Sequence, residues 1–118
     1  MKIMVVDDNK GMRELIRSVL WESDLQFLEC SDGAEAVAQF GKFKPDWVLM
    51  DLSMKGMDGI TAIAELKAKD PNVKVVIVTD YNDPPLRQYV EKFGIESYVL
   101  KENLAEIRVI FRLQSGEK

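Results

Sequence analysis

Residues 47–51 read Trp-Val-Leu-Met-Asp, four consecutive apolar residues followed at once by a carboxylate. A short continuous apolar run is typical of a β-strand that is buried on both faces, as the strands of a parallel sheet are. Four further apolar runs occur along the chain, and only the second of the five, Leu-Gln-Phe-Leu-Glu-Cys, partly alternates. In chain order the five runs are residues 3–6, 25–30, 47–50, 73–78 and 98–100. They predict a five-stranded parallel sheet in an α/β fold.

Helical patterns lie between and after these strands. Apolar side chains recur there at intervals of three and four residues, which places them along one face of a helix. Asp32 with Glu35 and Asn103 with Glu106 resemble capping boxes, and the Pro-Pro pair at 84–85 fits only the first turn of a helix. A strand–helix unit repeated five times implies right-handed crossovers with helices on both faces of the sheet.

Glycine and proline mark the predicted helix ends. Gly41 with Pro45 is predicted to end the second helix, Pro71 the third and Gly94 the fourth. Residues 114–118 are predicted to be a frayed tail or the start of a linker. Because the chain has 118 residues, it is expected to form a single domain.

The composition excludes several classes of site. With 16 Lys and Arg against 20 Asp and Glu, the net charge is −4, which does not favour binding to nucleic acid or to an anionic membrane. One cysteine and no histidine exclude an internal disulfide, a His-dependent catalytic triad and a zinc site built on Cys or His. The apolar segment after Lys2 is too short for a signal peptide or a membrane span. We therefore expect a cytoplasmic protein that binds neither nucleic acid nor membranes directly.

Polar side chains follow four of the five predicted strands, at the edge where open parallel sheets bind their ligands. The first strand ends in Asp7 and Asp8, the third in Asp51, the fourth in Thr79 and Asp80, and the fifth in Lys101. Each residue alone has an ordinary structural interpretation, such as a helix cap, but the whole set at matching strand ends does not. Three clustered carboxylates repel one another unless cations neutralise them. One Mg²⁺ together with Lys101 would balance their charge, and Mg²⁺ prefers such oxygen ligands, with Mn²⁺ as the alternative ion.

These residues and their surroundings resemble the receiver domain of two-component response regulators. The resemblance rests on Val-Val-Asp-Asp-Asn at 5–9, Val-Leu-Met-Asp-Leu-Ser-Met-Lys-Gly-Met-Asp-Gly at 48–59, Ile-Val-Thr-Asp at 77–80 and Ser-Tyr-Val-Leu-Lys at 97–101. It covers nearly the whole chain. It implies the CheY-like, flavodoxin-like doubly wound fold with strand order 2-1-3-4-5.

The resemblance also implies a role for the acidic residues. Asp51 would be the phosphoacceptor in a phosphorelay, and a partner histidine kinase or histidine phosphotransfer protein would supply the phosphoryl group. Asp8 would bind Mg²⁺ directly and Asp7 mainly through water, together with Asp51 and the backbone carbonyl of Ser53. The domain would promote only its own phosphorylation and dephosphorylation and would otherwise not be an enzyme.

The remaining residues of the set have implied roles in switching. Lys101 would contact the incoming phosphoryl oxygens, and Thr79 would hydrogen-bond the attached group. Tyr98 stands at the position of the family's switch aromatic and is expected to move from exposed to buried. Asp80, Tyr81 and Ser53 are predicted to modulate the site. The affected surface would be the face made by the fourth helix, the fifth strand and the fifth helix.

Three positions depart from the family pattern. Lys55 and Glu102 stand where proline is common, and Asp80 stands where Ala or Gly is usual. Asp80 keeps open a second hypothesis, a non-switching receiver-fold adaptor, or pseudo-receiver, that binds other proteins. A haloacid dehalogenase would need a second Asp where Ser53 stands, and a flavin carrier would need a phosphate loop in place of the acidic pair that begins at Asp7.

The last predicted helix carries a broad apolar surface. Its stripe is Leu104, Ile107 and Phe111, widened by Val109, Ile110 and Leu113. Either the sheet buries this whole surface, or part of it contacts a second copy of the chain or an output domain.

Overall fold

Each apolar run predicted from the sequence is a strand in the computed structural model, which describes residues 1–21, 24–52 and 59–115. Because β-branched and other bulky apolar residues fill these runs, they suit a pleated and buried backbone. The elements, in chain order, are β1 (Lys2–Val6), α1 (Lys10–Val19), β2 (Gln26–Cys30), α2 (Gly33–Phe43), β3 (Trp47–Met50), α3 (Gly59–Lys69), β4 (Lys74–Thr79), α4 (Pro84–Glu91), β5 (Ser97–Leu100), a 3₁₀ turn (Lys101–Asn103) and α5 (Ala105–Ser115).

The five strands form one parallel sheet in the order β2-β1-β3-β4-β5, which confirms the predicted topology. Val6 pairs with both Cys30 and Met50, the last residues of β2 and β3. The strands therefore finish at a common edge, and the residues that follow them are brought together there.

The sheet is covered on both faces. Helices α2, α3 and α4 pack on one face, where Phe40, Ile63 and Val90 are buried against the sheet. Helices α1 and α5 pack on the other face through residues that include Ile16 and Ile107. Burial on both sides explains why the runs of β1, β3, β4 and β5 are continuously apolar, whereas the less buried edge strand β2 partly alternates.

Side-chain caps fix the beginnings of three helices. Asn9 accepts a hydrogen bond from the Met12 N–H at the start of α1. Asp32 accepts one from the Glu35 N–H, as the sequence predicted for α2. Asp83 does the same for α4, immediately before the predicted Pro-Pro pair.

Two predicted helix boundaries were wrong. Gly41 lies inside α2, because Phe43 still packs on the core, whereas Pro45 was a correct signal, since the helix ends at Phe43 with Lys44 as its cap, at a positive φ of 52°. Asn103 lies inside the 3₁₀ turn rather than capping α5. Helix α5 extends to Ser115, one turn beyond its described apolar residues, while residues 116–118 lie outside the described part of the chain.

Among the described helices, none has both the length and the apolar character that crossing a membrane requires.

Candidate functional site

Two aspartates lie at the carboxyl edge of the sheet because each directly follows a central strand. The Asp51 N–H donates to the Val6 carbonyl, and the Asp7 N–H donates to the Cys30 carbonyl. These backbone bonds continue the sheet ladder and hold both residues in place. Asp7 and Asp51 are only 1% and 2% exposed. Buried carboxylates need compensating charge, so this edge requires a cation.

Lys101 supplies one cation from the end of β5. Its Nζ lies 2.9 Å from Asp7 Oδ2, 3.5 Å from Asp51 Oδ2 and 3.9 Å from Asp80 Oδ2. Burial by itself would lower the pKa of Lys101, but the hydrogen bond with Asp7 and the negative charges of Asp51, Asp7 and Asp80 raise it above its ordinary value. The ammonium therefore stays protonated and joins the ends of three strands.

The carboxylates of Asp7, Asp8 and Asp51 can hold a metal ion. One oxygen from each lies within 4.8 Å of the others, with Asp8 exposed and the other two buried. Asp7 Oδ1 accepts a hydrogen bond from the Asn9 N–H at 2.9 Å. Asp7 Oδ2 is buried, and Lys101 Nζ lies 2.9 Å from it. An all-oxygen cluster with two buried carboxylates fits a hard divalent cation such as Mg²⁺.

Ser53, predicted to supply a backbone carbonyl to this metal, lies outside the described residues, and so does Lys55.

Thr79, Tyr81 and Tyr98 form a second part of the site. Thr79 ends β4 and is fully buried, and its Oγ1 accepts a hydrogen bond from the Tyr81 N–H at 3.3 Å. The Tyr98 hydroxyl donates to the Tyr81 carbonyl at 2.6 Å. One peptide segment at Tyr81 thus connects the predicted switch hydroxyl to the predicted switch aromatic.

Tyr98 is buried, at 8% exposure, so the structure has the inward position that the sequence predicted for the switched state. Burial, followed by the charge of Asp83, raises the pKa of Tyr98 and keeps its hydroxyl a hydrogen-bond donor. The Arg87 guanidinium lies over the Tyr98 ring at 5.6 Å and adds a cation–π contact.

Asp80 lies at the mouth of the site. Its side chain is 69% exposed, and it reaches Lys101 only at 3.9 Å. It is therefore a solvated fourth carboxylate beside the three that can hold a metal.

The sequence analysis missed Arg13 and Glu29. Arg13 Nη1 donates to the Asp7 carbonyl at 2.7 Å, and its Nε donates to Glu29 Oε1 at 2.8 Å. Glu29 Oε2 also accepts from Arg17 at 2.8 Å. A charged residue inside the apolar β2 run was the signal that could have revealed this ion-pair group.

Most of the broad apolar surface of α5 is core. Leu104 and Ile107 are buried, while Ile110 and Phe111 pack against the same face of the sheet. Val109 remains 57% exposed, and the Leu113 side chain lies outside the described part. The sheet-burying interpretation accounts for the described side chains of this surface except Val109.

Comparisons with known proteins place this site in context. The family model described as response regulator receiver domain matches residues 3–112. The chain is similar to the chemotaxis protein CheY of Listeria monocytogenes, with 33% identity over 119 residues, which cover 100% of this chain and 99% of that protein. It is also similar to sporulation initiation phosphotransferase F of Bacillus subtilis, with 33% identity over 108 residues, 91% of this chain and 87% of that protein.

A solved structure gives the same picture. A LuxR-family two-component response regulator from Aurantimonas sp. SI85-9A1 superimposes with a TM-score of 0.86 and 27% sequence identity. The match covers 99% of this chain and 86% of that chain. The fold and the sequence therefore agree on the same family.

Proposed function

The chain belongs to the response regulator receiver domain family, and we propose that it is a phosphorylation-dependent switch whose phosphoacceptor is Asp51. The family is a signalling domain rather than a classical enzyme. The observation that carries the proposal is the convergence of Lys101 on Asp7 and Asp51, at 2.9 and 3.5 Å. The donor would be the phosphohistidine of a partner histidine kinase or histidine phosphotransfer protein, since this chain has no histidine.

The proposed step is an in-line phosphoryl transfer. A carboxylate oxygen of Asp51 attacks the phosphorus, a P–O bond forms, and the P–N bond to the partner's imidazole breaks, with the electron pair leaving on that nitrogen. Such transfers depend on positioning and charge stabilisation more than on covalent catalysis. The Lys101 ammonium would move from Asp51 toward the phosphoryl oxygens and stabilise their negative charge.

Mg²⁺ bound by Asp7, Asp8 and Asp51 would neutralise charge on the transferred group and orient it. Asp7 and Asp51 are buried and Asp8 is exposed; Asp8 would bind the ion directly and Asp7 mainly through water. Together with Lys101, a divalent ion would balance the three carboxylates. Without it, the uncompensated negative charge of the carboxylates would repel an approaching phosphate dianion.

The response to phosphorylation would pass through Thr79. An attached phosphoryl group offers acceptor oxygens to the Thr79 hydroxyl, and this hydroxyl is linked to Tyr98 through the Tyr81 peptide. Phosphorylation would thereby favour the inward position of Tyr98. The affected surface is the face of α4, β5 and α5, where Tyr89 is exposed and available to a protein partner.

Asp51→Asn tests the phosphoacceptor. Wild type incubated with Mg²⁺ and acetyl phosphate should gain one phosphoryl group by intact-protein mass spectrometry, and Asp51→Asn should gain none. Asp70→Asn is the matched control, since Asp70 accepts its hydrogen bond from the Asn72 N–H at the opposite edge of the sheet. Equal labelling of wild type and Asp51→Asn would overturn the assignment. No labelling of wild type by acetyl phosphate or by a phosphorylated histidine kinase would favour the pseudo-receiver alternative.

Thr79→Ala tests the coupling to Tyr98. Beryllofluoride, a phosphoryl mimic, should shift the amide NMR signals of α4, β5 and α5 in wild type and in Thr79→Ser, which retains a hydroxyl. In Thr79→Ala we expect phosphorylation to persist while these shifts are reduced to about half or less, since the hydroxyl that contacts the phosphoryl group is gone. Full-sized shifts in Thr79→Ala would contradict the coupling.

A further inference from the structure

Arg13 connects the acidic loop to the edge strand. Its side chain extends from α1, is 15% exposed, and makes two charge-assisted hydrogen bonds in different directions. One goes to the backbone carbonyl of Asp7 at 2.7 Å and the other to the carboxylate of Glu29 at 2.8 Å. The guanidinium is thus held on one side by a β2 side chain and holds the Asp7 peptide on the other.

We propose that Arg13 is a positioning residue for the metal site, fixing the peptide between Asp7 and Asp8 so that both carboxylates face Asp51. This inference rests on the proposed magnesium site but not on phosphorylation. Asp7 and Asp8 share the peptide whose carbonyl Arg13 binds. A rotation of that peptide would turn the Asp8 side chain away from the cluster.

The surrounding contacts leave the position of this carbonyl to Arg13. The Asn9 N–H binds the Asp7 carboxylate, and the Asn9 side chain caps α1 through the Met12 N–H. Both contacts are accepted by side-chain oxygens of the loop. The Asp7 carbonyl, a backbone group, accepts its hydrogen bond from Arg13. Because repulsion among the clustered carboxylates acts on this loop, a restraint on its backbone helps to keep the three carboxylates together.

Glu29 fixes the orientation of the Arg13 side chain. The hydrogen bond from Arg17, with that from Arg13, lowers the pKa of Glu29 and keeps it ionised. Glu29 therefore orients the guanidinium of Arg13 through Nε and leaves Nη1 for the Asp7 carbonyl. A planar guanidinium can make these two divergent contacts at fixed angles, whereas a lysine ammonium is a single point donor.

Substitution of Arg13 tests the inference through the Mg²⁺ affinity of the unphosphorylated chain. The Kd is measured by titrating the metal-free protein with MgCl₂ and following amide NMR signals. We expect Arg13→Gln to weaken Mg²⁺ binding about tenfold, the lower end of the range for residues that orient metal ligands. Arg13→Lys should lie between Arg13→Gln and wild type.

Arg17→Gln is the matched control. Arg17 binds the same Glu29 carboxylate, whereas among the described residues the Asp7 carbonyl accepts its side-chain hydrogen bond from Arg13. Its Kd for Mg²⁺ should stay within about twofold of wild type, because the Asp7 peptide keeps its donor. Equal Kd values for Arg13→Gln and Arg17→Gln, or a wild-type Kd for Arg13→Gln, would overturn the inference.

A readout on the metal-free protein separates positioning from general stability. Hydrogen exchange of the Asn9 amide, which is bonded to Asp7, should be faster in Arg13→Gln, while core amides such as that of Leu49 keep wild-type exchange. Uniformly faster exchange would assign Arg13 a structural role only, and Arg13→Lys provides the comparison if Arg13→Gln does not fold. Mg²⁺ binding without phosphorylation of wild type would refute the proposed function alone. Absence of Mg²⁺ binding by wild type would refute this inference.

Discussion

Aspartate and lysine side chains lie at both ends of the sheet, but they have different partners at each end. At the carboxyl end, the carboxylates of Asp7 and Asp51 are buried and share one ammonium, that of Lys101. At the amino end, the carboxylates bind backbone instead. Asp46 accepts a hydrogen bond from the Lys2 N–H at 2.8 Å, and Asp70 accepts one from the Asn72 N–H at 3.0 Å.

The lysines of the two ends differ in their aromatic and acidic neighbours. Lys74, at the amino end, lies over the Trp47 ring at 5.1 Å, and Lys101, at the carboxyl end, lies 2.9 Å from Asp7 Oδ2. A cavity of about 410 Å³ at the amino end is lined by Asp46, Asp70 and Lys74, yet the carboxylates there are engaged by backbone N–H groups. A cavity with charged walls is therefore not sufficient for a site. What distinguishes the carboxyl end is that one ammonium lies within 3.5 Å of two buried carboxylates.

Lys101→Met should produce the largest change in stability and in phosphorylation rate, since it removes the positive charge that contacts both Asp7 and Asp51. Removing one partner of a buried ion pair leaves uncompensated charge, and we expect the free energy of unfolding of the metal-free protein to fall by about 3 kcal/mol. The variant also lacks the ammonium that stabilises the negative charge of the transition state, so phosphorylation by acetyl phosphate should slow about 100-fold. Urea denaturation and mass spectrometry measure the two effects.

Lys74→Met is the control at the opposite end. It removes the cation–π contact with Trp47, which contributes about 0.5–1 kcal/mol to the free energy of unfolding, and it should leave the phosphorylation rate unchanged. Mg²⁺ should restore more stability to Lys101→Met than to Lys74→Met, because it supplies the missing positive charge to the carboxylates. If Lys101→Met and Lys74→Met lose the same free energy of unfolding, the carboxylates at the carboxyl end do not depend on Lys101 for charge compensation.

The fold was predictable because its signals are local. Apolar runs, four of them continuous, identified all five strands, and the start signals of α2 and α4, Asp32 and the Pro-Pro pair at 84–85, depend only on residues a few positions away. The end of α2 was mispredicted at Gly41 because the packing of Phe43 on the core, a tertiary contact, outweighs the helix-breaking tendency of glycine.

The site was predictable where it depends on strand ends. Asp7, Asp51 and Lys101 follow three strands of one parallel sheet, so the topology alone brings them together. Arg13 and Glu29 were missed because their pairing depends on how α1 and β2 lie against each other. A helix residue and an edge-strand residue give no periodic signal that relates them.

Asp80→Ala should change the phosphorylation rate by less than Lys101→Met does. Asp80 lies at the mouth of the site. Asp80 is largely exposed, so solvent screens its repulsion of an incoming phosphate to the strength of a surface charge interaction, about 0.4–1 kcal/mol, or about two- to fivefold in rate. Removing its repulsion of the phosphodonor should therefore speed phosphorylation by that factor, most strongly at low ionic strength. Asp80→Asn should do the same if charge rather than size matters. Weaker Mg²⁺ binding by Asp80→Ala would instead indicate a water-mediated metal contact. Unchanged rate and Mg²⁺ affinity at all salt concentrations would exclude any role in the site.

Asp46→Asn should have the smallest effect and sharpens the comparison from the amino end. The Asn side-chain oxygen can still accept the Lys2 N–H, so only the charge-assisted part of that hydrogen bond is lost. We expect the free energy of unfolding to fall by at most about 1 kcal/mol, because the bond is exposed. The rate of phosphorylation and the Kd for Mg²⁺ should match wild type, since the Asp46 carboxylate lies at the opposite edge from Asp51. Asp46→Ala, which removes the acceptor altogether, should lose more stability and equally little activity. A marked loss of phosphorylation in Asp46→Asn would show that the amino end of the sheet is coupled to the site. The two ends would then not act independently, contrary to the comparison made above.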